Sequence, residues 1–555
     1  MREVSVLVGG KAGDGIKQAG NAIARLFNRL GYRVFVYEDY PSLIRGGHNF
    51  AVIRASEKPV FSHASRIDVL IALNQETVEK HKSRMSENGT IIFDSDCVSS
   101  RGMGIEMSGI VRELSLPPIV RNTVALGALA RVLGIEFSLV EDVIRATIRK
   151  KTEENVEAAK RGYESASEYE GSVKVRNLQK EALPLLTGNE AIALGLAKGG
   201  MKLYVAYPMT PASSILHYLA AHEDELRIRT VHPETEIAVI GMLQGAAFAG
   251  IRSACGTSGG GFALMVEHLS LAGQAEIPCV IVLAQRPAPA TGVPTYTEQG
   301  DLFFAMFAGH GEFPRIVLAP GDADEAFYLS ARAMNLAWKF QIPVIILADK
   351  HLSESTFTFT GREEEVKVEV PKLWSGEGEY KRYARTQDGV SPLAFPGNEK
   401  VVVKYNSYEH DERGITTEEP ELVALGHEKR LRKMQTVKEF LKEEKTVNVF
   451  ENGDRKKDFV VITWGSTKGA VLEACERLGI KMLQPLYLMP LPVWEIERHA
   501  NGRRVICVEV NSTGQLANWL EFNGIRVEHR VLKYDARPFT VDEVEERLRK
   551  VVQGG

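Results

Sequence analysis

A succession of short, mostly apolar runs separated by helical stretches constrains the fold of this chain more than any other feature. In the middle of the sequence the runs are Leu203 to Ala206, Ile228 to Val231, Ser253 to Gly256, Cys279 to Ala284, Ile316 to Ala319 and Pro343 to Ala348. Runs this short and apolar predict buried strands of a mostly parallel sheet covered on both faces. The helices between them, such as Ile237 to Ala249, are rich in small residues and predict close helix–sheet packing. In such sheets ligands bind at the carboxyl ends of the strands. The loop Tyr207-Pro208-Met209-Thr210-Pro211-Ala212-Ser213 follows the first of these strands and precedes a helix, so it occupies one such end. Two prolines fix the backbone around Thr210 and aim its hydroxyl into the crevice. Alone, the loop reads equally as a rigid turn.

The remaining sequence divides around this block. Met1 to about Lys180 opens with a strand at Glu3 to Val8, a glycine-rich turn at Gly9 to Gly15 and a helix at Ile16 to Leu30. Further strands are predicted at Arg33 to Tyr37, Asp68 to Leu73 and Thr90 to Phe93, giving a mostly parallel, doubly wound sheet. Residues 361–443 are charged, rich in glycine and proline, and poor in apolar periodicity before Pro420. They cannot form a core of their own and predict an extended arm lying on a neighbouring domain or subunit. Strands return at Phe459 to Thr463, Met482 to Leu486, Arg504 to Val508 and Glu528 to Leu532. The expectation is a multi-domain α/β chain with domains at 1–180 and 181–360, an arm at 361–443 and a last domain at 444–555.

Composition excludes several functions. The formal net charge is -4 over 555 residues, so no global field draws the chain to nucleic acid or a membrane surface. The basic run Lys429-Arg430-Leu431-Arg432-Lys433 reads as a solvated helix face. No apolar run reaches membrane-spanning length and the amino terminus reads as a strand, so a cytoplasmic protein is expected. Cys97, Cys255, Cys279, Cys475 and Cys507 are widely separated, with no C-x-x-C. Most sit within apolar strands and read as packing residues, and together they build neither an iron–sulfur ligand set nor a zinc ribbon. Electron carriers for any redox chemistry must then lie on another chain.

Two glycine motifs need separating. Gly10-Lys11-Ala12-Gly13-Asp14-Gly15 has the spacing G-x-x-G-x-G, not the dinucleotide G-x-G-x-x-G. Its backbone N–H groups at a helix start suit an anion, with Glu38 where a ribose-binding acid would lie. A tight strand-to-helix connection or an interface loop is the alternative. Gly13-Asp14-Gly15 also matches the start of the thiamine diphosphate motif, which needs paired asparagines about 25 residues later to hold Mg²⁺ with oxygen ligands. Here that region reads Tyr40-Pro41-Ser42-Leu43, so the metal–diphosphate half of such a site is not encoded.

Glu236 and Arg286 join Thr210 on the loops of the central block. Glu236 stands at the start of a helix that continues as Val239-Ile240-Gly241-Met242-Leu243, apolar almost all round. A carboxylate there serves either the helix dipole or a buried partner, since an unpaired buried charge costs several kcal/mol. Arg286 follows the most apolar strand, where a guanidinium suits bidentate capture of a carboxylate or an interdomain salt bridge.

Together these loops resemble the α subunit of 2-oxoacid:ferredoxin oxidoreductases. The residues that carry the likeness are Thr187-Gly188-Asn189-Glu190-Ala191, Tyr207 to Ser213, Gln285-Arg286-Pro287, Thr291-Gly292-Val293-Pro294-Thr295 and Thr297-Glu298-Gln299-Gly300-Asp301-Leu302. The first block resembles the family's γ subunit through Gly9 to Gly15 and Ile44-Arg45-Gly46-Gly47-His48. Tyr383 to Pro396 and the last block resemble the α subunit's carboxyl-terminal part. The resemblance implies a γ–α fusion: a γ-type domain, a thiamine diphosphate pyrimidine-binding domain, and a domain like the carboxyl-terminal domain of transketolase.

It also implies a shared active site. A separate β chain would supply Mg²⁺, the diphosphate contacts and a [4Fe-4S] cluster, with coenzyme A as co-substrate and ferredoxin as acceptor, in an (αβ)₂ assembly. Glu236 would hydrogen-bond the aminopyrimidine nitrogen and favour its protonated form. Tyr207 and Pro208 would line the cofactor, while Thr210, Arg286, Ala212 and Ser213 would face the substrate, Arg286 pairing with its carboxylate. The family loop reads Tyr-Pro-Ile-Thr-Pro-Ser-Ser. Met209 conserves volume, whereas Ala212 removes a hydroxyl that bears on side-chain selection. The implied reaction is coenzyme A-dependent oxidative decarboxylation of a 2-oxoacid, with 2-oxoglutarate and branched or broad-range 2-oxoacids all open. The rival readings are a non-oxidative thiamine enzyme of the transketolase or decarboxylase kind, and a non-catalytic scaffold for a redox partner.

Overall fold

The computed structural model describes residues 3–42, 47–168, 174–453 and 458–554. Leu43, Ile44, Arg45 and Gly46, on which part of the sequence reading fell, lie outside the described residues. The chain forms two compact units, one comprising Met1–Thr187, Glu354–Thr360 and Thr540–Val544, the other comprising Gly188–Ser353, Gly361–Phe539 and Glu545–Gly555.

The first unit carries strands β1 (Glu3–Lys11), β2 (Arg33–Asp39), β3 (His48–Ser56), β4 (Ile67–Ala72), β5 (Met85–Asp94), β6 (Met103–Ile105), β7 (Leu185–Thr187) and, from far downstream, β14 (Thr356–Thr358). They form one sheet in the order β6-β5-β4-β1-β3-β2-β14-β7. The expected mostly parallel sheet is corrected. From β6 to β1 the strands are parallel, but β3 pairs antiparallel with both β1 and β2, and β14 with β2 and β7. The connection from β2 to β3 is shorter than the dozen or so residues a parallel crossover needs, so the chain can only turn back. Buried Arg54 hid β3 from the hydrophobic pattern; its guanidinium meets the Glu3 carboxylate with two 2.8 Å contacts across the β1–β3 pair.

The glycine cluster also differs from expectation. β1 runs through Gly9 and Gly10 to Lys11, and the turn is confined to the residues leading to Gly15, which caps helix α1 (Ile16–Arg29) in the left-handed conformation. α1 buries Ile16, Ala19, Gly20, Ile23, Ala24 and Phe27, the spacing of one helical face. The Asp14 carboxylate folds back to accept the Lys11 N–H at 2.9 Å and pairs with Arg121 at 2.9 Å. Glu38 pairs with Lys17 at 3.3 Å. The loop is therefore closed by its own acid, as a tight connection.

The second unit holds two sheets. The larger is built from β8 (Leu203–Val205), β9 (Arg229–Val231), β10 (Ser253–Thr257), β11 (Cys279–Gln285), β12 (Ile316–Leu318), β13 (Pro343–Asp349) and β18 (Tyr487–Met489). Its order is β18-β12-β13-β11-β10-β8-β9, parallel throughout except for β18 at the edge. The smaller sheet runs β15-β17-β16-β19-β20 from β15 (Val447–Phe450), β16 (Phe459–Ile462), β17 (Lys481–Pro485), β19 (Arg504–Glu509) and β20 (His529–Leu532). Only β15 is antiparallel there.

Residues 361–443 hold little regular structure until helix α8 (Pro420–Lys442), which starts with proline in its first turn. The reading of Lys429 to Lys433 as a solvated face is wrong for three of its residues: Lys429, Arg430 and Lys433 are buried. Lys429 Nζ contacts both Glu276 carboxylate oxygens at 2.6 and 2.7 Å, Lys433 pairs with the same carboxylate, and Arg430 clamps Glu409 with two 2.8 Å bonds. Positions four apart share a helix face, so 429 and 433 converge on one acid. Arg382, also buried, donates to the carbonyl of Glu276 at 2.7 Å and to Gln341 Oε1 at 2.9 Å. The arm is thus fastened by buried ion pairs to Glu276, in the connection that leads into β11 of the larger sheet. Among the described residues no helix is long and apolar enough to cross a membrane.

Candidate active site

The site lies at the carboxyl ends of β8, β10 and β11. The Tyr207 to Ser213 loop leaves β8 and enters helix α4 (Ser213–Ala221). It is clamped from helix α3 (Gly188–Lys198): the fully buried Asn189 side chain donates to the Pro211 carbonyl and to Ser214 Oγ, both at 2.7 Å. Arg286, the residue after β11, donates from Nη1 to the Thr210 carbonyl at 2.8 Å. Thr210 and Arg286 are thereby locked to one another, and the Thr210 hydroxyl has no protein partner among the described residues. Tyr207 is 38% exposed and meets the His232 ring edge-on. Pro208 and Ser213 are half-buried. Ala212 is buried and packs towards Gly256 of β10, on the sheet rather than in the open crevice.

Glu236 opens helix α5 (Glu236–Phe248). The cap is Thr235, whose hydroxyl accepts the Ala238 N–H, so Glu236 is released from capping. Its side chain is 3% exposed and its Oε1 has no hydrogen-bond partner. An unsatisfied buried carboxylate oxygen is costly in a folded chain unless something else completes it. Facing it is the start of helix α6 (Gly259–Gln274), which follows β10 through Ser258 and begins Gly259-Gly260-Gly261. A β-carbon on Gly261 would collide with both Glu236 Oε1 and Thr257 Oγ1, so those two oxygens are neighbours. Thr257 Oγ1 is in turn 3.9 Å from Met209 Sδ. Glu236, Thr210 and Arg286 are therefore brought to one place, linked through Thr257 and Met209.

Several residues of this place escaped the sequence reading as individuals. Asn189 was visible only as part of a motif. The second glycine-rich strand-to-helix turn, Gly256-Thr257-Ser258-Gly259-Gly260-Gly261, was the signal for α6. Ser258 Oγ is fully buried without a partner there. Asp301, before helix α7 (Leu302–Phe307), is half-buried beside Arg286; burial pushes its carboxyl up to about 6, with Arg286 opposing. Burial lowers Arg286 in turn, with Asp301 opposing.

These side chains gather at the ends of parallel strands, and the family models put the α/β chain that carries them in the thiamine diphosphate-binding class of oxidoreductase subunits. The family model for pyruvate flavodoxin/ferredoxin oxidoreductases, thiamine diphosphate-binding, matches residues 195–427. The pyruvate ferredoxin/flavodoxin oxidoreductase model matches residues 5–165. A 2-oxoacid:ferredoxin oxidoreductase α subunit from Saccharolobus solfataricus is 32% identical, over 100% of this chain and 98% of the relative. The 2-oxoglutarate oxidoreductase subunit KorA of Mycobacterium tuberculosis is 26% identical, over 100% of this chain and 92% of its own. A solved 2-oxoglutarate:ferredoxin oxidoreductase from Magnetococcus marinus, with 2-oxoglutarate, coenzyme A and succinyl-CoA bound, superposes with a TM-score of 0.92 at 32% identity, covering 100% of both chains. The chain belongs to the α-subunit family of 2-oxoacid:ferredoxin oxidoreductases.

Proposed function

We propose that this chain, a γ–α fusion, works with a separate β chain to convert a 2-oxoacid and coenzyme A into an acyl-CoA, CO₂ and reduced ferredoxin. The observation that carries the reading is the buried, unpartnered Oε1 of Glu236 facing the glycine-walled start of α6. The aminopyrimidine of thiamine diphosphate fits that place, because it brings a ring nitrogen to an acid that lacks a protein partner. Bound thiamine diphosphate supplies a nucleophilic carbon and an electron sink for loss of CO₂.

The chain's own residues have three tasks. Glu236 holds a proton at the ring nitrogen, with Tyr207 and Pro208 beside it. Arg286, fixed by the Thr210 carbonyl, keeps its remaining N–H groups for the substrate carboxylate, while the free Thr210 hydroxyl donates to the keto oxygen. Ser213, at the head of α4, bears on the substrate side chain, with Ala212 buried behind it against the sheet.

Mg²⁺, the diphosphate contacts and a [4Fe-4S] cluster belong to the β chain in this reading, and ferredoxin accepts the electrons. Ile237, Met242 and Leu264, between 44% and 51% exposed on α5 and α6, provide an apolar face on which that chain completes the site in an (αβ)₂ assembly. The bound ligands of the Magnetococcus marinus relative support coenzyme A as co-substrate. The test is to purify the chain with its β partner and measure dye reduction dependent on both a 2-oxoacid and coenzyme A. An assembled complex inert to every 2-oxoacid, or one that makes product without reducing an acceptor, overturns the reading.

A further inference from the structure

The loop that begins with Arg286 is closed at its base and fastened along its return limb. The Asp301 N–H donates to Gln285 Oε1 at 3.0 Å, and Gln285, the last residue of β11, donates from Nε2 to the Ala348 carbonyl at 3.1 Å. Between these ends Ala288 to Val293 stand exposed, whereas Thr295, Thr297 and Gln299 are buried. The Tyr296 ring lies under the Arg537 guanidinium, whose carbon is 3.6 Å from the ring centroid, and Thr297 Oγ1 accepts the His351 N–H at 3.2 Å.

Gln299 carries the heaviest fastening. Its N–H donates to the Val510 carbonyl at 2.7 Å, and its carbonyl accepts from Asn511 Nδ2 at 3.2 Å. Its side-chain Oε1 accepts from Thr467 Oγ1 at 2.9 Å and from the Val510 N–H at 3.1 Å. Nε2 donates to the Trp464 carbonyl at 3.1 Å and to Asp349 Oδ2 at 3.4 Å. Trp464 and Thr467 follow β16, and Val510 and Asn511 follow β19, its parallel neighbour. β16 leads to β17 on one side of the smaller sheet, and β19 leads to β20 on the other. The crevice at such a divergence is where a parallel sheet receives a ligand. Here the amide of Gln299 occupies it. Gly465, at φ 56°, makes the room, since a β-carbon there would stand 2.8 Å from Gln299 Nε2.

We propose that Gln299 is a positioning residue for substrate capture: seated in the crevice of the smaller sheet, it holds the loop of Arg286 in the conformation that receives a 2-oxoacid. The inference rests on the reading of Arg286 given above, since Gln299 stands away from the reacting atoms. The path between the two is covalent chain and direct hydrogen bonds. Gln299 lies two residues before Asp301, whose N–H is bonded to Gln285; Arg286 comes next and is bonded to the Thr210 carbonyl. A loop with an exposed tip keeps many conformations unless its limbs are tied. Tying the return limb in the folded chain takes that ordering cost out of substrate binding. The smaller sheet thereby acquires a task in the reaction, although none of the site residues named above comes from it.

The experiment uses the assembled complex and measures kcat, KM for the 2-oxoacid, KM for coenzyme A and the thermal midpoint in wild type, Gln299→Ala, Arg286→Gln and Asn448→Ala. Asn448, on β15 at the edge of the same sheet, bonds Glu325 and Gln484, so its variant reports destabilisation of the sheet alone. Gln299→Ala is expected to raise the 2-oxoacid KM roughly ten-fold, with kcat within about three-fold and the coenzyme A KM unmoved. Asn448→Ala should lower the midpoint and leave both KM values at wild type. An unaltered 2-oxoacid KM in Gln299→Ala, beside a raised one in Arg286→Gln, overturns the inference alone, as does an equal rise in Asn448→Ala. An unaltered KM in Arg286→Gln overturns the reading of Arg286 beneath it. If Gln299→Ala does not assemble, Thr467→Val decides, since it removes one bond to Gln299 Oε1 at little change of volume. A rise of roughly two- to three-fold in the 2-oxoacid KM is then expected, and a KM that stays at wild type overturns the proposal.

Discussion

The carboxylate of Glu236 occupies the space that a side chain on Gly261 would need. Glu236 is the first residue of α5 and Gly261 the third of α6, so the contact joins the starts of two helices that leave β9 and β10, strands on either side of β8. The acid is held in place by shape while its Oε1 stays free of hydrogen bonds. A buried acid so held is ready to meet a ring nitrogen without paying for its own reorganisation.

Substituting Gly261→Ala tests that fit. The added methyl overlaps Glu236 Oε1 and Thr257 Oγ1, and both stand on helix or strand ends that cannot retreat far. The complex is expected to lose about 1–3 kcal/mol of stability by overpacking. Turnover should fall at least ten-fold, with weaker retention of thiamine diphosphate. Cofactor content after desalting, read beside the thermal midpoint, checks this; full activity at unchanged cofactor content would show that Glu236 tolerates displacement.

Replacing the acid itself separates charge from shape. Glu236→Gln keeps the volume and removes the ability to hold the ring-nitrogen proton, so kcat should drop by about 10²–10⁴ while the complex still assembles. Stability should hold or rise, because the orphaned buried charge is gone. Single-turnover formation of acyl-CoA is the measurement. Turnover near wild type would remove Glu236 from its proposed task.

Asn189 carries the loop rather than the chemistry. In Asn189→Ala the buried Pro211 carbonyl loses its donor, at about 1–3 kcal/mol, while the exposed Ser214 turns its hydroxyl to water. Because Pro211 follows Thr210, the loop should relax and KM for the 2-oxoacid should rise, with kcat reduced less. Steady-state kinetics beside a melting curve distinguishes this from simple unfolding: a lowered midpoint with unaltered KM would mean the clamp does not reach Thr210.

The middle of the central sheet was legible because its strands are apolar along most of their length. Cys279–Gln285 and Pro343–Asp349 are buried at every position, and their polar residues, Gln285 and Asp349, come only at the ends. β3 was not, because Arg54 and His48 are buried polar residues whose partners come from elsewhere in the fold. Its burial rests on Glu3, which pairing with β1 brings close but sequence distance conceals. At the site, Thr210, Glu236 and Arg286 were legible as residue types at strand ends. Asn189 was not, since it bonds the backbone and a hydroxyl of a loop more than twenty residues away. The Lys429 to Lys433 run misled for a related reason: its composition is that of a solvated face, and only Glu276, at the far end of α6, reveals it as buried.

That buried cluster gives the last prediction. Glu276 meets Lys429, Lys433 and Arg382, one anion among three cations. Burial alone would raise its carboxyl, but the three cations hold it well below the usual carboxylate range. Burial lowers Lys433 from 10.5 to about 7; Glu276 opposes the shift and Lys429 adds to it. Between about pH 7 and 10.5 the unfolded chain therefore binds more protons at Lys433 than the folded chain does. Stability should rise with pH across that window as the cost of the buried ammonium is relieved. Glu276→Gln removes the cluster's counter-charge and is expected to cost about 3–5 kcal/mol, whereas Lys433→Met exchanges a surplus cation for an apolar stem at under about 1 kcal/mol. In Lys433→Met the rise with pH should shrink to what Lys429, itself lowered by burial, contributes. Thermal midpoints of the three proteins, taken from about pH 6.5 to 9.5, check both halves. Equal losses in the two variants would mean that Lys433 pairs with Glu276 as a full cation, and the arm would then be held by two complete ion pairs.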